Sequence, residues 1–179
     1  MRTFRRIGSG LAAIALAGGV TWAQAPAGPP KPGPEHQRLA RFVGKWTGKG
    51  EMKPGPFGPS GPMTWTETCE WFAGGFSVVC KSEGKGPMGE MKGLGIISYS
   101  PEEKVYTYYG VDNSGWSDLS KGTVSGKVWT YTSKGTMGGK PMEGRFIITE
   151  VSDTSQTFQW EMTEDGKTWK LMMDGTSSK

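Results

Sequence analysis

The periodicity of apolar positions changes at residue 43. Just before it, HQRLARFV at 36–43 sets Leu39, Phe42 and Val43 on one face of a short helix. Beyond it, runs rich in Thr, Val, Tyr and Trp alternate with polar residues and are broken at short intervals by Gly, Asn, Asp or Pro. The pattern predicts strands near 43–53, 62–72, 76–83, 91–99, 104–111, 116–124, 127–134, 143–151, 156–163 and 168–175. About ten short antiparallel strands predict an all-β fold, either a closed up-and-down barrel or a sandwich.

Side-chain parity gives the strands two faces. With Gly74 and Gly75 at a hairpin tip, Trp71 faces Val78 and Cys69 faces Cys80. Met63, Trp65, Glu67, Cys69, Trp71, Phe76, Val78 and Cys80 then share one side, with Glu67 opposite Ser82, and Thr64, Thr66, Thr68 and Glu70 take the other. Asp165 and Gly166 at a second tip set Met162 against Trp169, Trp160 against Leu171 and Phe158 against Met173. A third tip at Ser125 and Gly126 sets Trp129 against Gly122 and Tyr131 against Ser120.

Directly opposed residues in an antiparallel pair have Cα atoms about 4.5–5.5 Å apart, within the reach of a disulfide. The expectation is therefore a Cys69–Cys80 bond bracing the hairpin; the alternative is two small buried thiols that never pair. Their spacing is not Cys-x-x-Cys, and no neighbouring His lowers a thiol pKa, which argues against redox chemistry.

The amino terminus changes the picture. Arg2, Arg5 and Arg6 precede an uncharged run, Ile7 to Val20, and the small residues Ala23, Ala25 and Ala27 follow. This predicts a signal peptide over 1–25, cut after residue 25 or 27, with an uncleaved anchor as the alternative. Residues 26–34, APAGPPKPG, read as an extended tether, and 35–179 as a single β-barrel domain. The expected location is periplasmic or secreted, with no stable membrane span after cleavage, since the apolar run is too short. The formal charge of +4 comes from 21 basic and 17 acidic residues, and three arginines leave with the signal. A nearly neutral mature domain carries no electrostatic footprint for nucleic acid.

Chemistry is thinly supplied. The single histidine, His36, precedes the first strand, so Ser-His-Asp, Cys-His and zinc arrangements lack their parts; it is expected to be solvated or to cap the helix. Met88 and Met91 offer two thioethers to copper(I), a weak set beside plain packing. What the inward faces do carry is rings. Trp65, Glu67, Tyr106, Tyr108, Trp129 and Tyr131 are the candidate lining for a small hydrophobic or aromatic ligand, Glu67 and the phenols being its polar contacts. A solid aromatic core is the competing reading, and a position at a wet barrel mouth is the plain one for Glu67. The loop 54–61, PGPFGPSG, is a candidate lid.

GKWTGKG at 44–50, behind a short helix, is similar to the opening of calycin barrels such as the lipocalins, in which the Trp closes the barrel base. The longer run, from GPEHQRLARFVGKWTGKG through CEWFAGGF, KGLGIISYSPEEKVYTYYGVDNSG and DGKTW, resembles the bacterial family named domain of unknown function 1579. The resemblance implies a lipocalin-like antiparallel barrel and no particular activity. The GxWxGxG string is also similar to nitrobindin-type haem barrels, but those need an axial histidine inside the barrel, so no cofactor is expected. The leading expectation is a non-enzymatic container. The alternatives are an isomerase- or lyase-like enzyme using an inward carboxylate with tyrosines, or an envelope interaction module working through strand edges or loops.

Overall fold

In a computed structural model, which describes residues 29–179 apart from 57, 73 and 138, the chain turns first at Gly33. Helix α1 (Pro34–Arg38) starts on a proline whose fixed φ suits a first turn, and a 3-10 turn, Leu39–Arg41, continues it. His36 is buried rather than solvated: Nδ1 accepts the Gly33 N–H at 3.3 Å, and the ring meets the edges of Phe76 and Tyr99. The capping half of the expectation holds.

Ten strands follow: β1 (Gly44–Met52), β2 (Gly61–Trp71), β3 (Ser77–Gly86), β4 (Gly89–Ser100), β5 (Val105–Asp112), β6 (Ser117–Ser125), β7 (Val128–Met137), β8 (Lys140–Ser152), β9 (Ser155–Thr163) and β10 (Lys170–Ser178). Each pairs antiparallel with its sequence neighbours, and β10 returns to β1, closing the barrel. Closure leaves no free strand edge among the described residues, so the edge-pairing form of an interaction module is overturned. Among the described residues, no helix is long and apolar enough to cross a membrane. The signal-peptide segment lies outside the described residues.

Parity holds across the first hairpin. Cys69 pairs with Cys80, Trp71 with Val78 and Glu67 with Ser82, and the cysteines form a disulfide with Cα atoms 4.0 Å apart. The tip is broader than two residues, since β2 ends at Trp71 and β3 begins at Ser77, but Gly74 and Gly75 both take positive φ at its centre.

Two other registers are corrected, by two residues everywhere except at Met162, where the shift is one. Trp129 pairs with Val124 and Tyr131 with Gly122, because Gly126, at positive φ, and Lys127 make the tip between β6 and β7. At the far end, Phe158 pairs with Gly175, Trp160 with Met173 and Met162 with Lys170. Asp165 is the cause there: its carboxylate accepts the backbone N–H groups of Thr168 and Lys167 and the Thr163 hydroxyl, which widens the turn. Those hydrogen bonds hold its carboxyl far below the usual range. A bulge between Leu171 and Met173 absorbs the remaining mismatch, and Trp169 turns outward onto the Arg145 guanidinium, 4.2 Å from the ring centroid.

The helix plugs one end. Leu39 and Phe42 enter the core, and Phe42 meets the Trp129 ring at 4.8 Å. Trp46 donates Nε1–H to the Phe42 carbonyl at 2.8 Å, and Trp129 donates Nε1–H to Glu150 Oε1 at 2.6 Å, so both buried indoles are satisfied. Arg38 binds the Gly126 carbonyl and lies over Trp129, while Arg41 and Lys179 lie over Trp46. Trp46, Cys69, Val78 and Trp129 are at most 1% exposed, so this end is a sealed floor.

Candidate functional site

The inward positions form rows of directly paired residues that cross the barrel obliquely. One row runs Tyr106, Gly122, Tyr131, Phe146, Trp160, Met173, Met52. Another runs Trp129, Ile148, Phe158, Gly175, Gly50, Met63. A third runs Gln156, Ser177, Gly48, Trp65, Gly84, Met91. Each row mixes rings with glycines and finishes on methionine at the end away from the helix.

The glycines decide where the rings lie. A Cβ on Gly48 would overlap the Trp65 indole, one on Gly95 would stand 2.9 Å from the Tyr108 ring, and one on Gly175 would stand 2.6 Å from Phe158. These three rings rest over the bare backbone of neighbouring strands, and Trp65 and Phe146 both meet Phe158, at 5.3 and 5.4 Å between centroids. Trp65, Glu67, Ser82, Tyr108, Phe146 and Trp160 face the inside of a closed barrel and yet are only half-buried, with Trp65, Tyr108 and Phe146 packed against the core cluster.

Glu67 is one of the inward acids, on β2. It sits between Trp46 on β1 and Ser82 on β3, with a carboxyl oxygen within 4.8 Å of both disulfide sulfurs. Among the described residues it has no hydrogen-bond or ion-pair partner. Burial desolvates the carboxyl and pushes its pKa up to about 7. Tyr108 is pushed up to about 12, by burial first and then by the charges of Glu67, Asp118 and Asp112. Tyr131, whose ring centroid is 6.3 Å from that of Tyr108, is also pushed up by burial, and its buried hydroxyl has no partner among the described residues.

The six predicted lining residues divide. Trp65, Glu67 and Tyr108 are half-buried inward residues, whereas Tyr131 is buried in the core cluster. Trp129 and Tyr106 belong to the floor, where Trp129 is bonded to Glu150 and the Tyr106 hydroxyl donates to the Glu35 carbonyl at 3.3 Å. Sequence reasoning singled out the Trp160 ring without placing it in the lining, and passed over Phe146, Gly48 and Gly84, although the inward alternation that selected Trp65 also places Gly48 and Gly84 beside it once the register is known.

Other candidate sites dissolve on their geometry. The grouping of Glu67, Cys69 and Cys80 has metal-ligand spacing, but the sulfurs are bonded to each other and offer no thiolate. Met88 is exposed beside Gly58 at a hairpin tip, whereas Met91 packs inward on Gly86, so these two thioethers do not converge. Two grooves of about 560 and 550 Å³ lie on the outer wall between outward residues such as Thr47, Thr64, Thr66, Thr157 and Thr176; neither reaches the unpartnered carboxyl. The 54–61 loop lies at the methionine end, Gly55 against Met172 and Gly58 against Met88, which is where a lid would stand.

Residues 31–179 match the family described as "Protein of unknown function (DUF1579)". No curated protein matches the chain. Among solved structures the chain is similar to one titled "Crystal Structure of Rv2717c from M. tuberculosis", with a TM-score of 0.57 and 13% identity, over 82% of this chain and 98% of that one. At that identity the likeness concerns the fold.

Proposed function

Since the chain belongs to the family described as "Protein of unknown function (DUF1579)" and folds as a closed barrel with half-buried inward rings, we propose that it is a container for one small hydrophobic or aromatic molecule. The observation that carries this reading is the half-buried state of Trp65, Glu67, Tyr108, Phe146 and Trp160 inside a closed wall whose other end is sealed. A guest displacing water from these faces gains about 25 cal/mol per Å² of apolar surface buried. The phenols and the carboxyl orient it. The Cys69–Cys80 bond and the amino-terminal pattern support a periplasmic or secreted site of action.

Native mass spectrometry of the mature protein with a panel of lipophiles, read beside tryptophan quenching, tests the reading. A one-to-one adduct with saturable quenching is expected. A panel that yields neither ends it.

Glu67 itself favours a second reading. A carboxyl whose pKa burial pushes up to about 7, and whose charge acts on Tyr108, has the properties of a general acid or base. Glu67→Gln separates the two, since binding of a neutral guest survives the change and acid-base turnover does not.

A further inference from the structure

The lumen is acidic in a one-sided way. Away from the hairpin ends, the inward positions of the ten strands include Glu67, Asp118 and Glu150 and, among the described residues, no lysine, arginine or histidine. Lys49, Lys81, Lys85 and Arg145 all take outward positions on their strands. The cations nearest the floor are committed to it, Arg38 over Trp129 and Arg41 with Lys179 over Trp46. Two of the three inward acids are also committed: Glu150 accepts the Trp129 indole N–H, and Asp118 accepts the Ser120 hydroxyl at 2.7 Å. Glu67 alone of the three has no partner among the described residues.

A closed, partly dry site that holds one unpaired carboxyl among ring faces is mismatched to an anion and incompletely satisfied by a neutral hydrocarbon. An ammonium group corrects both defects, pairing with the carboxylate and resting its remaining N–H and C–H edges on the π-faces. We propose that the guest is a lipophilic amine: a protonated nitrogen on Glu67, within reach of Tyr108, and an apolar body laid along Trp65, Phe146 and Trp160 toward the methionine end. The inference rests on the container reading and adds the charge of what is contained. Binding makes and breaks no covalent bond. Where Glu67 is protonated beforehand, its proton passes to solvent as the ammonium arrives.

Decylamine, decanol and decanoate form a set of equal length that differs in head-group charge. Titrated below their micellar range against the disulfide-intact mature protein at pH 7.4, with tryptophan quenching and calorimetry as readouts, they are expected to bind in the order amine, alcohol, carboxylate. The amine should lead the alcohol by at least about ten-fold, the scale of a desolvated charge pair. Glu67→Gln should bring amine and alcohol within about two-fold, chiefly by weakening the amine. Decanoate binding as tightly as decylamine, or an amine preference that persists in Glu67→Gln, overturns the inference. Equal binding of all three by the wild-type protein removes the amine selectivity and leaves the container standing; no binding by any of them removes both. The wild-type series needs no variant to fold.

Discussion

The ring of Tyr131 lies over Gly122, its direct partner across β6 and β7, so closely that a methyl group on Gly122 would come within 2.6 Å of two ring carbons. The same row carries Phe146 and Trp160 beyond Tyr131, and Gly122 sets where the Tyr131 ring stands. Gly122 is not held at positive φ, and alanine is therefore tolerated by the backbone. Gly122→Ala should push the phenol into the lumen. The expected result is a loss of about 1–3 kcal/mol in denaturant unfolding from overpacking, and guest affinity reduced at least several-fold. Unchanged affinity would mean that the guest does not use this wall.

Glu67 makes stability depend on pH in a direction opposite to that of most surface carboxylates. Its pKa is raised from the ordinary 4.5 to about 7 on folding, so the folded protein holds a proton that the unfolded chain has lost between those values. The stability associated with the neutral form is fully present below pH 4.5 and is lost as pH rises through about 7. Glu67→Gln should flatten that slope and raise stability at pH 8 by about 1–3 kcal/mol. The upper end follows from about 1.4 kcal/mol for each tenfold change in proton affinity, and the carboxyl's contact with water reduces it. Unfolding midpoints measured from pH 4 to 9 on both proteins check this. Parallel curves would show that the carboxyl ionises freely in the fold.

Strand existence and facing were legible in the sequence because both follow from alternation, which a single chain displays. The pairing of Cys69 with Cys80 was legible as well, since Gly74 and Gly75 mark the centre of that hairpin. Two registers were not. The tip at Gly126 and Lys127 differs from one at Ser125 and Gly126 by a choice that sequence alone leaves open, and Asp165 widened its turn through hydrogen bonds made by backbone outside any strand. The division of the candidate site was hidden for a related reason. Trp129 and Tyr131 are both inward residues of β7, and only the docking of Phe42 and Glu35 against the barrel end assigns Trp129 and Tyr106 to the floor.

The disulfide closes a hairpin whose ends the strand ladder already holds, and the pair of positions is flanked by paired residues on both sides. Cys69→Ala with Cys80→Ala should therefore lower stability by about 1–3 kcal/mol, below the full loop-closure value. The barrel and its near-ultraviolet tryptophan signal should survive. Collapse of the fold on reduction would show that the bond, rather than the ladder, sets the register of β2 and β3.

Trp129 and Tyr131 provide a contrast within one strand. Both are almost fully buried, but the Trp129 indole N–H is spent on Glu150, whereas the Tyr131 hydroxyl is buried with no partner among the described residues. Trp129→Phe removes packing volume and abandons a carboxylate in the floor, and should cost about 2–4 kcal/mol. Its guest affinity should stay close to wild type at temperatures where the variant is folded. Tyr131→Phe removes a group that has lost water and gained nothing, so the empty protein should be unchanged or more stable by up to about 1 kcal/mol. The same substitution should weaken a guest that offers a hydrogen-bonding group and leave a pure hydrocarbon unaffected. Thermal melts with and without decylamine separate the two residues: a floor residue moves both melts together, and a lining residue moves only the difference between them. If Tyr131→Phe shifts both melts equally, the hydroxyl faces packed protein and not the guest.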